Sequence, residues 1–520
     1  MENWNWSKIT FYLHYGIALF FLLRILWRQH NRSVAVAWIM VVFALPLMGV
    51  LAYILLGEVN IGRQYLRRNQ RAQQLFDDFA QSRKLDFSRA SQTLPSEFKQ
   101  LSHLAEVGTG LGVYDQHTLT LLDDTESIFI SLLADIEHAK HTILLEFYII
   151  EVQGRVELVI DALIRAVNRG VACQLLLDSV GSHAFLRSKQ RERMERAGIQ
   201  IYQSLSVNLF TTLIKRPDIR NHRKLAVFDN QFGYIGSFNL VDPNFFKQSA
   251  KVGKWIDMMI RVESQQPVSV VQGMSMVVSV DIGAERVKSL SRFRQFVIKF
   301  NDRRESMRNW FGKDTPPSTT PLMNLKKIQP YFRYPSVSHV SAQLIPSAPA
   351  LGSSVVYETL ISAIFMAKQQ IIITTPYFVP DDGLLLALVT AAKKGVNVVL
   401  NIPKTPDSRL VRFASSAYFA PLLDAGVQIA LFERGLLHTK LVVIDNAYAL
   451  FGTVNMDMRS FFINLEVMLA IYDKTMVSQL ITCQRGYLAD SVWVNKDYEQ
   501  QRTFLGRTLD RTIRLLSPLL

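Results

Sequence analysis

Cysteine is almost missing from this 520-residue chain. Cys173 and Cys483 are the only two, they lie in different regions, and neither belongs to a CxxC or Cys/His cluster. That leaves no basis for a disulfide framework or a cysteine-type zinc site, and the pair reads as two buried, unreactive thiols. Acidic residues are also in short supply, with 44 Asp and Glu against 58 Lys and Arg and a formal charge of +14. Such a balance suits an anionic partner, whether nucleic acid, a phosphorylated substrate or an acidic lipid surface, and does not choose among them. No nucleic-acid-binding module is recognisable, which weighs against the first. At this length two or three domains are expected, each burying its own core.

What the chain has in excess is apolar residues near its N-terminus. Ile9 to Trp27 is almost continuously apolar, and Val34 to Leu56 is interrupted mainly by Pro46 and some small residues. As helices both reach far enough to cross a bilayer; the second spans about 35 Å against a hydrocarbon core of about 30 Å. Only Arg28, Gln29, His30, Asn31, Arg32 and Ser33 separate them, so a two-helix transmembrane hairpin is expected over residues 1–60. A cleaved signal peptide and a buried core helix are the competing readings, but no small-residue cleavage site follows Trp27. Arg63, Arg67, Arg68 and Arg71 beyond the hairpin lean toward a cytoplasmic catalytic region.

The rest of the chain contains itself twice. Ala139-Lys140 leads into TILLEFYII, a helix-like stretch to Arg169-Gly170-Val171, the strand-like ACQLLLD, and later Ala197-Gly198-Ile199. Ala367-Lys368 leads into IIITTPYFV, a helix-like stretch to Lys394-Gly395-Val396, the strand-like NVVLNI, and later Ala425-Gly426-Val427. Short β-rich runs alternating with helical stretches that stop at glycine read as βαβ units, so the fold class is α/β with a parallel or mixed sheet in each lobe. The expected layout is a basic connecting segment at 61–108, a first lobe at 109–304, a Pro/Ser/Thr-rich linker at 305–340, a second lobe at 341–500, and a basic amphipathic C-terminal helix at 501–520.

Each copy ends in the same pattern: HRKLAVFDNQFGYIGSFN from His222 to Asn239, and HTKLVVIDNAYALFGTVN from His438 to Asn455. His222 and Lys224, like His438 and Lys440, stand two apart, which puts each pair on one face of a strand. Breaking a phosphodiester requires a nucleophile, a proton donor for the leaving alkoxide and fixed positive charge on the nonbridging oxygens. Two histidines and two lysines supply that set, one imidazole attacking phosphorus and the other shuttling the proton. Ser237, Asn239, Thr453 and Asn455 are suited to touch phosphate oxygens or orient the rings, and Asp257 and Glu466 are the carboxylates expected to fix the imidazoles. Asp229 and Asp445 complete the motif, and as acids at strand ends they are expected to support a turn. Tyr148 and Tyr377 either line the pocket or fill the core, and core packing is the favoured reading. From Gly198 to His222 there are 24 positions, against 12 from Gly426 to His438, so an insertion carrying Lys215, Arg216 and Arg220 is expected over the site.

The duplicated H-x-K-x4-D with its G-[S/T]-x-N resembles the phospholipase D superfamily over residues 110 to 500. Within it, YILLGEVNIG, NLVDPNFFKQ, TTPYFVPDD and GTVNMDMRSFFINLE are similar to the bacterial cardiolipin synthases. The resemblance implies a pseudo-dimer of two similar lobes with one active site between them. It also implies condensation of two phosphatidylglycerol molecules to cardiolipin and glycerol through a phosphatidyl-histidine, with no metal or other cofactor, in the bacterial cell membrane and among anionic lipids. It favours His222 as nucleophile and His438 as general acid. Water or another alcohol as acceptor remains open, and a phosphodiesterase acting on nucleic acid is the more distant alternative.

Overall fold

A computed structural model describes residues 6–28, 32–58, 67, 94–206, 216–250, 252–285, 332–349 and 354–495. Most of the connecting segment, most of the linker, Lys215 and the C-terminal helix expected at 501–520 lie outside the described residues.

The duplicated motifs generate duplicated halves of a single 15-stranded sheet. Outward from its middle, the first half runs Tyr114–Leu122, Met259–Glu263, Phe232–Gly236, Leu225–Phe228, Thr142–Phe147, Ala172–Asp178 and Gln200–Ser204. The second runs Val337–Ser347, Glu466–Ile471, Tyr448–Gly452, Leu441–Ile444, Gln370–Thr374, Asn397–Pro403 and Gln428–Phe432, with Ser491–Trp493 as an added edge. The outer three strands of each repeat are parallel and the inner ones antiparallel, so each half of the sheet is mixed. Antiparallel pairing of Tyr114–Leu122 with Val337–Ser347 closes the seam between the halves.

Every residue of LAVF and LVVI is buried, as strands covered on both faces require. Helices Thr125–His138 and Arg155–Asn168 cover the outer face of the first half, and Val355–Met366 and Asp382–Lys393 that of the second. Helices Val270–Glu285 and Lys474–Ala489 share one core on the other face, which joins both lobes. The matching helices stop at Gly170 and Gly395, whose φ values of 90° and 91° suit a residue without Cβ. Helix Ser96–Thr109, grouped in the sequence with the connecting segment, instead packs Phe98, Leu101 and Ala105 into the second lobe's core.

At the N-terminus, helix Trp6–Trp27 folds back on Arg32–Ala44 around Ala18, Ile25, Trp38, Val42 and Tyr53. The second apolar run is not one helix. Pro46 has no N–H to continue the ladder and starts a new helix, Pro46–Ala52, which ends in a wider π turn over Tyr53–Gly57. Among the described residues no helix is long and apolar enough to cross a membrane.

Asp229 and Asp445 sit just past their strands with φ of 50°. Asp229 accepts from the backbone N–H groups of Lys140, His141 and Thr142 at 2.7 to 2.8 Å. Asp445 does the same for Lys368, Gln369 and Gln370. Each therefore locks the start of the neighbouring antiparallel strand. Asp229→Ala should lower unfolding stability by about 1–3 kcal/mol by stranding those donors, read as a fall of several degrees in melting temperature. Turnover per folded molecule should change far less.

Candidate active site

The sheet delivers each histidine to the other lobe. The strands expected to carry His and Lys begin one residue later, at Leu225 and Leu441, and the preceding residues are held in extended form by backbone bonds across the lobes. The His222 N–H donates to the Leu465 carbonyl at 2.9 Å, and the His438 N–H donates to the Ile256 carbonyl at 2.9 Å. The residue after each acceptor is a carboxylate, so the pairing of acid with ring follows from the ladder. Glu466 lies 2.9 and 3.0 Å from Nδ1 of His222, and Asp257 lies 2.6 Å from Nδ1 of His438. Both rings thus keep Nε2 for chemistry, each oriented by the opposite lobe.

Lys224 and Lys440 are fully buried, and each donates to the carbonyl of its own motif histidine, at 2.7 and 2.6 Å. Each imidazole also feels the lysine of the other motif, which brings both halves into one electrostatic cluster. Burial pushes Lys224 down to about 8 and holds Lys440 well below its usual range. Burial likewise lowers both imidazoles to about 4; the lysines add to this, and the carboxylates only partly oppose it. Burial works against the charge on Glu466 and Asp257, yet the adjacent imidazoles and lysines hold both below the ordinary carboxylate range. The result is a preformed cationic hole with neutral nucleophiles, ready for a phosphate anion.

Ser237 and Thr453 brace the carboxylate strands. Ser237 Oγ donates to Asp257 at 2.6 Å and accepts from the Met258 N–H at 3.1 Å, while Thr453 Oγ1 accepts from the Val467 N–H at 2.9 Å. Asn239 accepts from the Ile149 N–H at 3.2 Å, and buried Asn455 keeps an unpartnered Oδ1 among the described residues. Asp229 and Asp445 stand five residues beyond their lysines, roughly 16 Å along a strand, at its far end. Among the described residues no group of three or more His, Cys, Asp or Glu side chains is arranged to hold a metal ion.

Several neighbours were not legible as such. Tyr148 is not simple core: its ring lies 5.0 Å from that of His222, and Lys224 Nζ lies 5.5 Å from its centre. Tyr377 donates to Asp407 at 2.5 Å, and Trp255 packs 4.5 Å from the His438 ring. Arg223, on the reverse face of the His222 segment, ties the lobes by donating to the Glu466 and Ser347 carbonyls at 3.0 Å and to Asp281. Trp255 stands two residues before Asp257, a spacing that could have flagged it; Arg223 carried no such signal.

The geometry has counterparts. The family described as "Cardiolipin synthase, PLD-like domain" matches residues 132–270 and 360–483, and "Phospholipase D-nuclease N-terminal" matches residues 16–58. The chain is 38% identical to cardiolipin synthase A of Serratia proteamaculans over 501 residues, covering 96% of this chain and 95% of that protein. The chain belongs to the cardiolipin synthase family. Cardiolipin synthase A of Yersinia pseudotuberculosis (strain YPIII) is 37% identical over the same shares of both chains. The crystal structure of phosphatidylserine synthase from Haemophilus influenzae shares the fold, with a TM-score of 0.57 at 13% identity, covering 81% of this chain and all of that one.

Both histidines of this family member titrate below their unfolded value near 6.5. Between that value and about 4 the unfolded chain binds protons that the folded chain refuses, so stability falls as pH drops through this window. Each ring contributes at most about 1.4 kcal/mol per pH unit. Thermal melts from pH 7 to 4.5 should show that slope, and it should flatten in His222→Gln and His438→Gln.

Proposed function

We propose that this protein is a membrane-anchored phosphatidyltransferase that condenses two phosphatidylglycerol molecules into cardiolipin and glycerol. The observation that carries the reading is the pair of crossed His–carboxylate contacts around two buried lysines, in a chain of the cardiolipin synthase family. Nε2 of one histidine attacks phosphorus of the first lipid. The P–N bond forms as the P–O bond to glycerol breaks, and the other imidazole gives its proton to the departing oxygen. The primary hydroxyl of a second phosphatidylglycerol then attacks phosphorus and passes its proton to that same imidazole. The P–N bond breaks and cardiolipin leaves. Lys224 and Lys440 stabilise the nonbridging oxygens, and the entering anion raises the proton affinity of the imidazole that acts as acid. Ser237, Thr453, Asn239 and Asn455 serve mainly to fix this frame, with Asn455 Oδ1 free to meet substrate.

The N-terminal hairpin is the proposed anchor in the bacterial cell membrane, with the catalytic lobes on the cytoplasmic side. Supporting this, Leu19, Phe20, Leu23 and Leu26 in the first helix and Leu47, Met48 and Leu51 after Pro46 expose their side chains, as a lipid-facing surface does. The positive balance suits anionic lipid.

The test is product chromatography with purified full-length protein in detergent–phosphatidylglycerol micelles without added metal. Wild type should give cardiolipin and glycerol, and His222→Ala and His438→Ala should each lose both, by a factor of at least about a thousand. Phosphatidic acid as sole product would make the protein a hydrolase; no lipid product would overturn the reading.

A further inference from the structure

The two halves of the site repeat each other except over His222. Arg220, His222 and Lys224 alternate along the extended segment, so Arg220 shares their face while Asn221 and Arg223 occupy the buried reverse. The equivalent of Arg220 in the second copy is Leu436, fully buried among Val241, Phe246, Val252 and Trp255. A second guanidinium arrives from the other lobe: Arg459 follows the second motif where the first copy has Pro243.

Arg459 is tied to the segment that carries Arg220 through Asp218, and the two arginines form a rim. Arg216 grips the Asp218 carboxylate at 2.6 and 3.0 Å, and Arg459 donates to it at 2.8 Å and to the Asp218 carbonyl. Among the described residues Arg220 hydrogen-bonds only the Ile219 carbonyl, at 2.7 Å, and the Pro217 carbonyl, and it also acts electrostatically on buried Asp178. Two guanidiniums therefore share Asp218, while that of Arg220 keeps its hydrogen bonds to backbone carbonyls. Arg220 and Arg459 both act electrostatically on the Tyr148 hydroxyl, whose ring packs on His222, so their charge reaches the cleft. The rim beside His438 is built differently: its Lys247 is ion-paired with Asp407 at 3.2 Å.

The buried lysines already account for the phosphate that reacts. A lipid acceptor brings a second phosphodiester, three carbons from the attacking hydroxyl, which water and simple alcohols lack. We propose that Arg220 and Arg459, held in place by the Arg216–Asp218 pair, bind the non-reacting phosphate of the acceptor lipid and so select an anionic phospholipid alcohol over neutral acceptors. Guanidinium forks match phosphate oxygens, and the three-carbon spacer of the acceptor is flexible. The inference rests on the phosphatidyltransferase reading above.

The test uses full-length protein in micelles of phosphatidylglycerol and neutral detergent with butan-1-ol as competing acceptor. One phosphatidyl-enzyme then partitions between cardiolipin and phosphatidylbutanol. Arg220→Gln and Arg459→Gln should each lower the cardiolipin to phosphatidylbutanol ratio about tenfold, and Arg220→Lys should recover part of it. Arg220→Gln is the cleaner variant, because it removes bonds only to carbonyls of its own turn. An unchanged ratio, or an equal fall in both products, would overturn the assignment. If wild type forms neither product, the phosphatidyltransferase reading itself fails, a result distinct from either.

Discussion

Everything in the site depends on an exchange of backbone between lobes. Each motif histidine gives its N–H to a carbonyl of the opposite half, and the residue after that carbonyl carries the acid that holds its ring. Neither lobe contains a complete site. That explains why the halves are fused through one continuous sheet and a shared helix layer: a small rotation about the seam would move each carboxylate off its imidazole together with the backbone that aligns it. Arg223 reinforces the same joint from behind, by bonding the carbonyl of Glu466 itself.

The second constraint is electrostatic. Burial holds both lysines below their usual proton affinity, and for Lys440 the charge of Lys224 adds to it. The fold supports them with their own histidines' carbonyls and with Glu466 and Asp257, whose charge is held by the adjacent imidazoles and lysines. The charge of a phosphodiester complements these cations, so the groups that hold the lysines also favour the reacting group. The same packing leaves the His438 side chain 4% exposed and that of His222 12%. The more open histidine is the one beneath the arginine rim.

The sequence carried the architecture because repetition is visible without coordinates. The spacing of the two motifs, the glycine-terminated helices and the all-apolar LAVF and LVVI runs each state a local physical need, and the structure meets them with matching strands and helices. It also carried Asp257 and Glu466 as ring-holding acids. Which acid serves which ring was not legible, because the crossing is a property of strand pairing between segments some two hundred residues apart. Tyr148 looked like core because an aromatic residue after an apolar strand usually is core. Helix Ser96–Thr109 looked like part of the basic connecting segment because its partner, Val355–Met366, lies far along the chain in the second lobe. Pro46 was visible in the second apolar run, but its consequence, two helices and a π turn, depends on what packs against it.

The most direct measurement traps the covalent intermediate and identifies its isomer. Labelled phosphatidylglycerol would be mixed with full-length protein, quenched within one turnover at alkaline pH, and the modified peptide mapped by mass spectrometry. Because Glu466 and Asp257 occupy Nδ1 of the two rings, the account predicts the phosphoryl group on Nε2 of His222 or His438. A phosphoryl group on Nδ1, or on neither histidine, would contradict it.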